Sequence, residues 1–444
     1  MLEVISAIST ANGTGGVAII RLSGEGVLDI LQKMFHPLSK VDIHNLEPYK
    51  LYPGEIDCGE FTDFGMAVYF KAPKSYTGED MVEIHSHGGV EIQRGVLKQT
   101  YKLGAIPATR GEFTKRAFLN GKLSLSSCEG LIDMINGESV AAVKAGYGLY
   151  REKLFNKITE LQNSLTFALA EIGADIDYPE EDLGELTLDN LVNALNLCIS
   201  ELKTLIQGYD KGEKIKNGVK VAIVGRPNTG KSSLLNALLN YDKAIVSSIE
   251  GTTRDVVEGS LEINGVKFDL YDTAGIRSAD NEIEKLGIER SQKVLKSADV
   301  VIAVFDGSAS LTEEDNSIIN AVNGLNVITV QNKSDLFKTQ KEGLNISAKT
   351  GSGVSELKNL LYQKAFNGGI DKNAELIVEE RHLKALEKAN QNAENALNSV
   401  SLGVPLDLVA EDVKAVWDAL GEITGTTASE EIIDEIFAKF CVGK

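Results

Sequence analysis

A strand, a glycine loop and a helix follow one another in KVAIVGRPNTGKSSLLNALL, residues 220–239, and no other stretch constrains the fold as much. Gly225–Ser232 fits GxxxxGK[ST], with the apolar run before it and the amphipathic run after it that the pattern needs. The backbone N–H groups of such a loop, together with the helix N-terminus, cradle anionic oxygens. Lys231 is placed to reach the β- and γ-phosphates of a nucleotide, and the Ser232 hydroxyl to bind magnesium. Asn228, Thr229, Gly230 and Ser233 complete the loop and its first helical turn.

The segments downstream extend the same site. In SLEINGVKFDLYDTAG, Asn264-Gly265 between alternating runs predicts a tight hairpin. Its second strand ends in Asp272-Thr273-Ala274-Gly275, a DxxG whose acid can hold the magnesium shell and whose glycine N–H can meet a γ-phosphate. VVIAVFD (300–306) and VITVQNKSD (327–335) add two buried-strand signals. The second ends in Asn332-Lys333-Ser334-Asp335, an NKxD. Its Asp335 carboxylate can accept from the N1–H and 2-amino group of guanine, which adenine cannot match. Ser347-Ala348-Lys349 supplies the usual backbone contact to the guanine oxygen. DxxG alone is weak, but three motifs in order, each at the C-terminal end of a strand, predict a GTP site. The residue after DxxG is Ile276, which cannot orient water; Arg277, Glu282 and Glu284 in IRSADNEIEKLGIER are the polar candidates.

With 444 residues the chain needs more than one domain. Its net charge of −19 argues against broad nucleic-acid binding, which rests on basic surface, although a local basic patch remains compatible. Cys58, Cys128, Cys198 and Cys441 lie far apart without a CxxC pair, which favours a reducing compartment. The N-terminus lacks a signal-peptide pattern, and no run reaches the roughly 18 apolar residues that span a bilayer, so a cytoplasmic protein is expected.

Three textures succeed one another along the chain. Residues 1–118 mix short β-like runs with glycine turns, as in VAIIRLSG (17–24) and MVEIHSHGG (81–89), and predict an α+β domain. Residues 119–212 and 373–444 carry three- and four-residue apolar spacing and predict the two halves of one helical domain. Residues 213–372 alternate strand and helix and predict an α/β domain with a doubly wound, mostly parallel sheet, inserted between those halves. The expected class is therefore α/β and α+β multidomain. His85 and His87 are expected on opposite faces of a strand, without a third ligand for a metal.

With these residues in view, the chain resembles the MnmE (TrmE) family of tRNA-modification GTPases over essentially its full length. Beyond the general GTPase motifs, GTTRD (251–255) is similar to the family's first switch. YTGEDMVEIHSHGG (76–89) and GEFTKRAFLNGKLSL (111–125) are similar to its N-terminal signatures, and the closing Cys441-Val442-Gly443-Lys444 to its terminal Cys-Ile/Leu-Gly-Lys. The resemblance implies a folate-binding, dimerising N-terminal domain ahead of the split helical domain and the inserted GTPase domain. It implies that Thr253 joins Ser232 on Mg²⁺, and that Asn228, Ser247, Ile249 (by its carbonyl) and Thr252 surround K⁺ when two GTPase domains meet. Glu284 would position the attacking water, which favours it over Glu282.

The resemblance also assigns Arg21, Glu79, Lys122 and Lys444 to a 5-formyl- or 5,10-methylene-tetrahydrofolate, and makes Cys441 a catalytic candidate. A carboxylate such as Glu79 can accept two parallel hydrogen bonds from the pterin edge, while the cations suit the folate carboxylates. The implied activity is potassium-stimulated GTP hydrolysis in a homodimer. With a flavin-dependent MnmG-type partner, in a heterotetramer, it would add a (carboxymethyl)aminomethyl group to C5 of the wobble uridine of certain tRNAs. One departure stands out: the family's PPGRGG loop is ANGTGG here (11–16), without its prolines and its cation. A ribosome-assembly GTPase of the Era or Der type, or a regulatory scaffold, is the alternative, and folate binding separates both from the modifying enzyme.

Overall fold

The computed structural model describes residues 3–177, 184–240, 257–272, 294–337, 342–367, 369 and 377–444. The chain starts with β1 (Ile5–Ile8), β2 (Gly15–Ser23), α1 (Val27–Met34), β3 (Phe35–Pro37), β4 (Leu51–Asp57), β5 (Thr62–Phe70), β6 (Met81–Gly88), α2 (Val90–Lys102), β7 (Ile106–Pro107) and α3 (Glu112–Leu119). The strands form one sheet in the order β3-β4-β5-β6-β2-β1-β7, antiparallel except for the β1–β7 pair. Period-two alternation puts Ala18, Ile20 and Leu22 of β2 on the inner face beside Val82 and Ile84 of β6. Three- and four-residue spacing in α1 turns Val27, Ile30, Leu31 and Met34 onto that face.

Helices α4 (Leu125–Asn136), α5 (Val140–Tyr150), α6 (Lys153–Asp177) and α7 (Gly184–Asn217) come next. The α/β stretch is β8 (Val219–Val224), α8 (Lys231–Asn240), β9 (Gly259–Ile263), β10 (Val266–Asp272), β11 (Val300–Asp306), α9 (Glu313–Ala321), β12 (Val327–Asn332), β13 (Leu344–Asn345) and α10 (Val354–Phe366). The chain ends with α11 (Glu380–Ser401), α12 (Leu406–Thr424) and α13 (Glu430–Ala438).

These elements form two compact units. One comprises Met1–Ile132, Gly148–Cys198 and Lys388–Lys444. In it α6 lies along α12. The apolar stripe Leu154, Ile158, Leu161, Leu165, Ala168 and Ile172 is buried, as are Val409, Val413, Val416 and Leu420. Polar clasps fix the alignment: Gln162 Nε2 donates to the Trp417 carbonyl and Trp417 Nε1 to Thr166 Oγ1, both at 3.1 Å. In the same unit α13 packs on α3 and α4 through Phe437, Phe440, Phe118, Leu125 and Cys128.

The other unit comprises Asp133–Tyr147 and Ile199–Glu387, built on a sheet ordered β13-β12-β11-β8-β10-β9. All its pairs are parallel except β9–β10, the hairpin expected at Asn264-Gly265, where both residues take positive φ (52° and 84°). Strand β11, and β8 beyond the exposed Lys220, are buried on both faces, which is why Val300–Phe305 and Val221–Val224 read as apolar runs. The contacts draw this unit wider than the strand–helix texture, taking in residues 133–147, 199–212 and 377–387 of the stretches expected as helical domain. Ala141 and Ala145 pack against the sheet's core, and the Ala141 N–H donates to the Gly265 carbonyl at 2.8 Å.

Candidate nucleotide and folate sites

The C-terminal ends of β8, β10, β11 and β12 place the sequence motifs at one edge of the parallel sheet, where open α/β sheets bind their ligands. The loop after β8 has its strained residue at Asn228 (φ 65°), where Asn tolerates the left-handed region better than most side chains. Gly225 lies against β11: a Cβ there would come 2.4 Å from the Val304 carbonyl oxygen. Gly230 has φ 90°, and a Cβ on it would stand 2.3 Å from Asn332 Nδ2, so the loop closes only with glycine at that position. Lys231 is buried, with Nζ donating to the carbonyls of Gly225 and Arg226 at 2.9 Å each. Its ammonium therefore already spans the mouth of the loop. Ser232 and Ser233 are exposed in the first turn of α8, and Asp272 closes β10 as a buried carboxylate.

The NKxD residues are tied to this loop directly. Asn332 is 3% exposed; its Nδ2 donates to the Thr229 carbonyl at 2.9 Å, and its Oδ1 accepts from the Ala348 N–H at 3.0 Å. One side chain thus joins the phosphate loop to the Ser347-Ala348-Lys349 turn. Asp335 is exposed and aimed by Ser347, whose Oγ donates to its Oδ1 at 2.7 Å. That hydrogen bond holds Asp335 below the usual carboxylate range, with the Lys349 charge adding to it. Lys333 takes a left-handed conformation (φ 67°) and is drawn back to Asp306 at the end of β11, with Nζ–Oδ2 at 2.6 Å. Partial burial pushes the Asp306 carboxyl up, but Lys333 and the Ser308 hydroxyl outweigh it and hold it low. Neither Asp306 nor Arg226 was marked by the motifs, because Arg226 fills an open position of its pattern and Asp306 lies outside every pattern.

Ser247, Ile249, Thr252, Thr253, Thr273, Ala274, Gly275 and Glu284 lie outside the described residues. The geometry accordingly speaks to the phosphate loop, Asp272, NKxD and the Ser-Ala-Lys turn.

The family models described as the MnmE helical domain and as the GTP-binding protein TrmE N-terminus match residues 125–441 and 4–122. The tRNA modification GTPase MnmE of Thermoanaerobacter pseudethanolicus is 39% identical over the full length of both chains. That of Clostridioides difficile is 38% identical over all of this chain and 99% of its own. The chain belongs to the MnmE family of tRNA modification GTPases. Among solved structures, the FeoB G-domain of Methanococcus jannaschii covers 33% of this chain and 97% of its own at 26% identity. Its TM-score of 0.25 is too low to add to the full-length matches.

Family membership directs attention to the N-terminal sheet, where Arg21, Glu79 and Lys122 gather around the loop before β6. Arg21 sits opposite Glu83 across the β2–β6 ladder and donates to Glu83 Oε1 from Nε (3.0 Å) and Nη2 (2.8 Å). Its guanidinium lies 5.3 Å from the Tyr76 ring and 5.6 Å from the Phe113 ring. Glu79 accepts from Ser23 Oγ at 2.8 Å and from Arg116 Nη1 at 3.1 Å, both on Oε2. Lys122 is exposed and donates to the Pro73 carbonyl at 3.0 Å. The Arg21 charge is thus already balanced by Glu83, a partner that single-sequence reading missed because it depends on strand register. That leaves Arg21 suited to stacking and oriented N–H donation more than to neutralising a ligand carboxylate alone.

The C-terminal tail is docked in the same unit. Val442 bridges to Arg110, and Ser9 Oγ donates to the Gly443 carbonyl at 3.0 Å. Ala7 pairs with Arg21 and Ile8 with Ile20, so the tail meets β1 one step along the ladder from Arg21. Cys441 is exposed. The histidines behave differently from expectation. Residues two apart share a strand face, so His85 and His87 lie on the same face as Glu83, not on opposite faces. His85 pairs with Glu83 and His87 with Asp63, and no three-residue metal cluster occurs among the described residues.

Proposed function

We propose that this chain binds and hydrolyses GTP as part of the modification of tRNA. For GTP the decisive observation is Asn332, whose amide locks the phosphate loop to the turn that meets guanine. In the proposed mechanism Asp335, pre-aimed by Ser347, accepts from the guanine N1–H and 2-amino group. Lys231 exchanges the loop carbonyls for the phosphates, and Lys333 lies beside the base. For tRNA, the support is likeness along the full length to proteins named tRNA modification GTPases.

The finer roles belong to the same proposal. Ser232 and Thr253 would hold Mg²⁺, and Asn228, Ser247, Ile249 and Thr252 would hold K⁺, supplying positive charge where the transition state develops negative charge. Asn228 supports this, since its positive φ turns the loop at an exposed position. Glu284 would orient the attacking water. Glu79, Arg21, Lys122 and Lys444 would hold a 5-formyl- or 5,10-methylene-tetrahydrofolate that supplies the one-carbon unit, with Tyr76 and Phe113 offering flat apolar surface beside Arg21. Cys441 would act at that site. The working assembly would be a cytoplasmic homodimer joined by a flavin-dependent MnmG-type partner; among the described residues no helix is long and apolar enough to cross a membrane.

The test is the GTPase rate of the purified chain in matched potassium and sodium buffers, with Glu284→Ala and Asn228→Ala beside the parent. Nucleoside mass spectrometry of tRNA from cells with and without the gene accompanies it. Potassium stimulation lost in either variant, with loss of a C5-modified uridine, is expected. A rate indifferent to the cation and to Glu284, with unchanged tRNA, would overturn the reading.

A further inference from the structure

Arg226 stands in the phosphate loop at a position the motif leaves unspecified, and nothing above gives its side chain work to do. Its Nε meets Asp315 Oδ2 at 3.1 Å. Asp315 is 1% exposed and sits in the first turn of α9, within the same unit. The same Oδ2 accepts from the Thr312 N–H and the Thr312 hydroxyl, both at 2.9 Å, in a reciprocal capping box that fixes the carboxylate's direction. Asp315 Oδ1 is buried without a hydrogen-bond partner. Compensation of this buried carboxylate therefore rests on Oδ2, so Arg226 cannot leave it as cheaply as a surface arginine would leave its partner.

The backbone of Arg226 carries the consequence to the phosphates. Its carbonyl accepts from Thr229 Oγ1 at 3.0 Å and from Lys231 Nζ at 2.9 Å. Asn228, with its positive φ, lies between the anchored Arg226 and Thr229, whose own carbonyl is held by Asn332. The loop is thus pinned at both ends, by Asp315 before the turn and by Asn332 after it.

We propose that the Arg226–Asp315 ion pair is a positioning device that holds the phosphate loop in its phosphate-binding shape before any nucleotide arrives. The inference rests on the GTP reading and deepens it. Ordering the loop in advance lowers the cost of binding. Because the loop's amides meet the phosphates that GDP and GTP share, the benefit falls on the affinity for both nucleotides and not on the hydrolytic step.

The test is titration of the full chain with fluorescent GDP and a fluorescent non-hydrolysable GTP analogue, with steady-state GTPase kinetics alongside. The variants are Asp315→Asn, Arg226→Gln, Arg226→Lys and the double Arg226→Gln/Asp315→Asn. Asp315→Asn keeps an acceptor for Thr312 but loses the charge. Roughly tenfold weaker binding of both nucleotides is expected, with KM rising in step and kcat within about twofold of the parent. Arg226→Gln strands a buried carboxylate and should bind more weakly than the double variant, while Arg226→Lys recovers part of the loss. Arg226 is the more exposed partner, so its two variants give the answer even where Asp315→Asn fails to fold. Unchanged affinity in variants that melt with the parent, independent multiplication of the single losses, or a fall in kcat instead of affinity would overturn the inference. A parent that binds neither nucleotide sinks the GTP reading and takes this one with it.

Discussion

The ion triad of Asp133, Lys216 and Glu379 offers a sharp test of the electrostatics inside the α/β unit. Lys216 Nζ lies 2.8 Å from Asp133 Oδ1 and makes a second, short ion pair with Glu379. Two carboxylates share one ammonium, and Asp133 Oδ2 is buried without a hydrogen-bond partner. Burial, and then the Glu379 charge, push the Asp133 carboxyl from 3.8 to about 7 against the opposing pull of Lys216. A carboxyl whose pKa is raised by folding contributes stability that is complete below its unfolded pKa and is lost as pH rises through its folded pKa. Here the loss runs from about pH 4 to about pH 7. Its full size is on the order of 4 kcal/mol, and between about pH 5 and 8 on the order of 3 kcal/mol.

Asp133→Asn removes that titration and leaves Lys216 and Glu379 as a neutral pair. Urea unfolding of the full chain, followed by far-UV circular dichroism at both pH values, compares variant and parent, so titrations common to both cancel. The variant should gain on the parent by up to about 3 kcal/mol as pH rises from about 5 to 8. A difference that is flat with pH, or that favours the parent more at the higher pH, would refute the reasoning. Lys216→Met, which leaves both carboxylates unpaired, should cost roughly 3–5 kcal/mol at the higher pH.

The other predictions concern single groups. Asp335→Asn replaces an acceptor with an amide whose N–H₂ suits the 2-oxo group of xanthine, so binding should shift from GTP toward XTP; roughly a hundredfold loss for GTP is expected, and equal GTP affinities for variant and parent would contradict it. Gly443→Ala puts a Cβ 2.1 Å from the Ile8 carbonyl oxygen at a φ of 96°, so the tail should detach, seen as rapid amide exchange at 441–444 with the melting temperature nearly unchanged. Retained protection would show that the tail accommodates the methyl. Burial pushes the thiols of Cys58 and Cys198 up to about 11 and about 12, and that of Cys128 further, while Cys441 is exposed. One thiol equivalent should therefore react quickly with Ellman's reagent under native conditions and disappear in Cys441→Ser; more than one would mean that a buried cysteine is reached.

Much of the candidate nucleotide site was legible because its motifs are local. The phosphate loop needs a strand before it, glycine at Gly225 and Gly230, and a helix after it, all within about 20 residues of chain. The buried parallel strand β11 declares itself as an unbroken apolar run, β8 as one from Val221 onward, and the β9–β10 hairpin by Asn264-Gly265. Three- and four-residue apolar spacing likewise marked the stretch that forms α6.

What escaped the sequence depends on residues distant in the chain meeting in space. Arg226 finds Asp315 only because β8 and β11 are neighbours in the sheet, and Arg21 finds Glu83 only in the β2–β6 register. The segment 133–147 reads as one more amphipathic stretch, and only packing reveals that its alanines face the α/β core. His85 and His87 could have been placed correctly by counting, since a period of two is a local property; their acidic partners could not. Local backbone geometry and hydrophobic periodicity are written in neighbouring residues, so the sequence alone determined the nucleotide loop, the buried strands and the family. Charge partners and loop braces are set by the order and register of strands, and those only the tertiary structure decided.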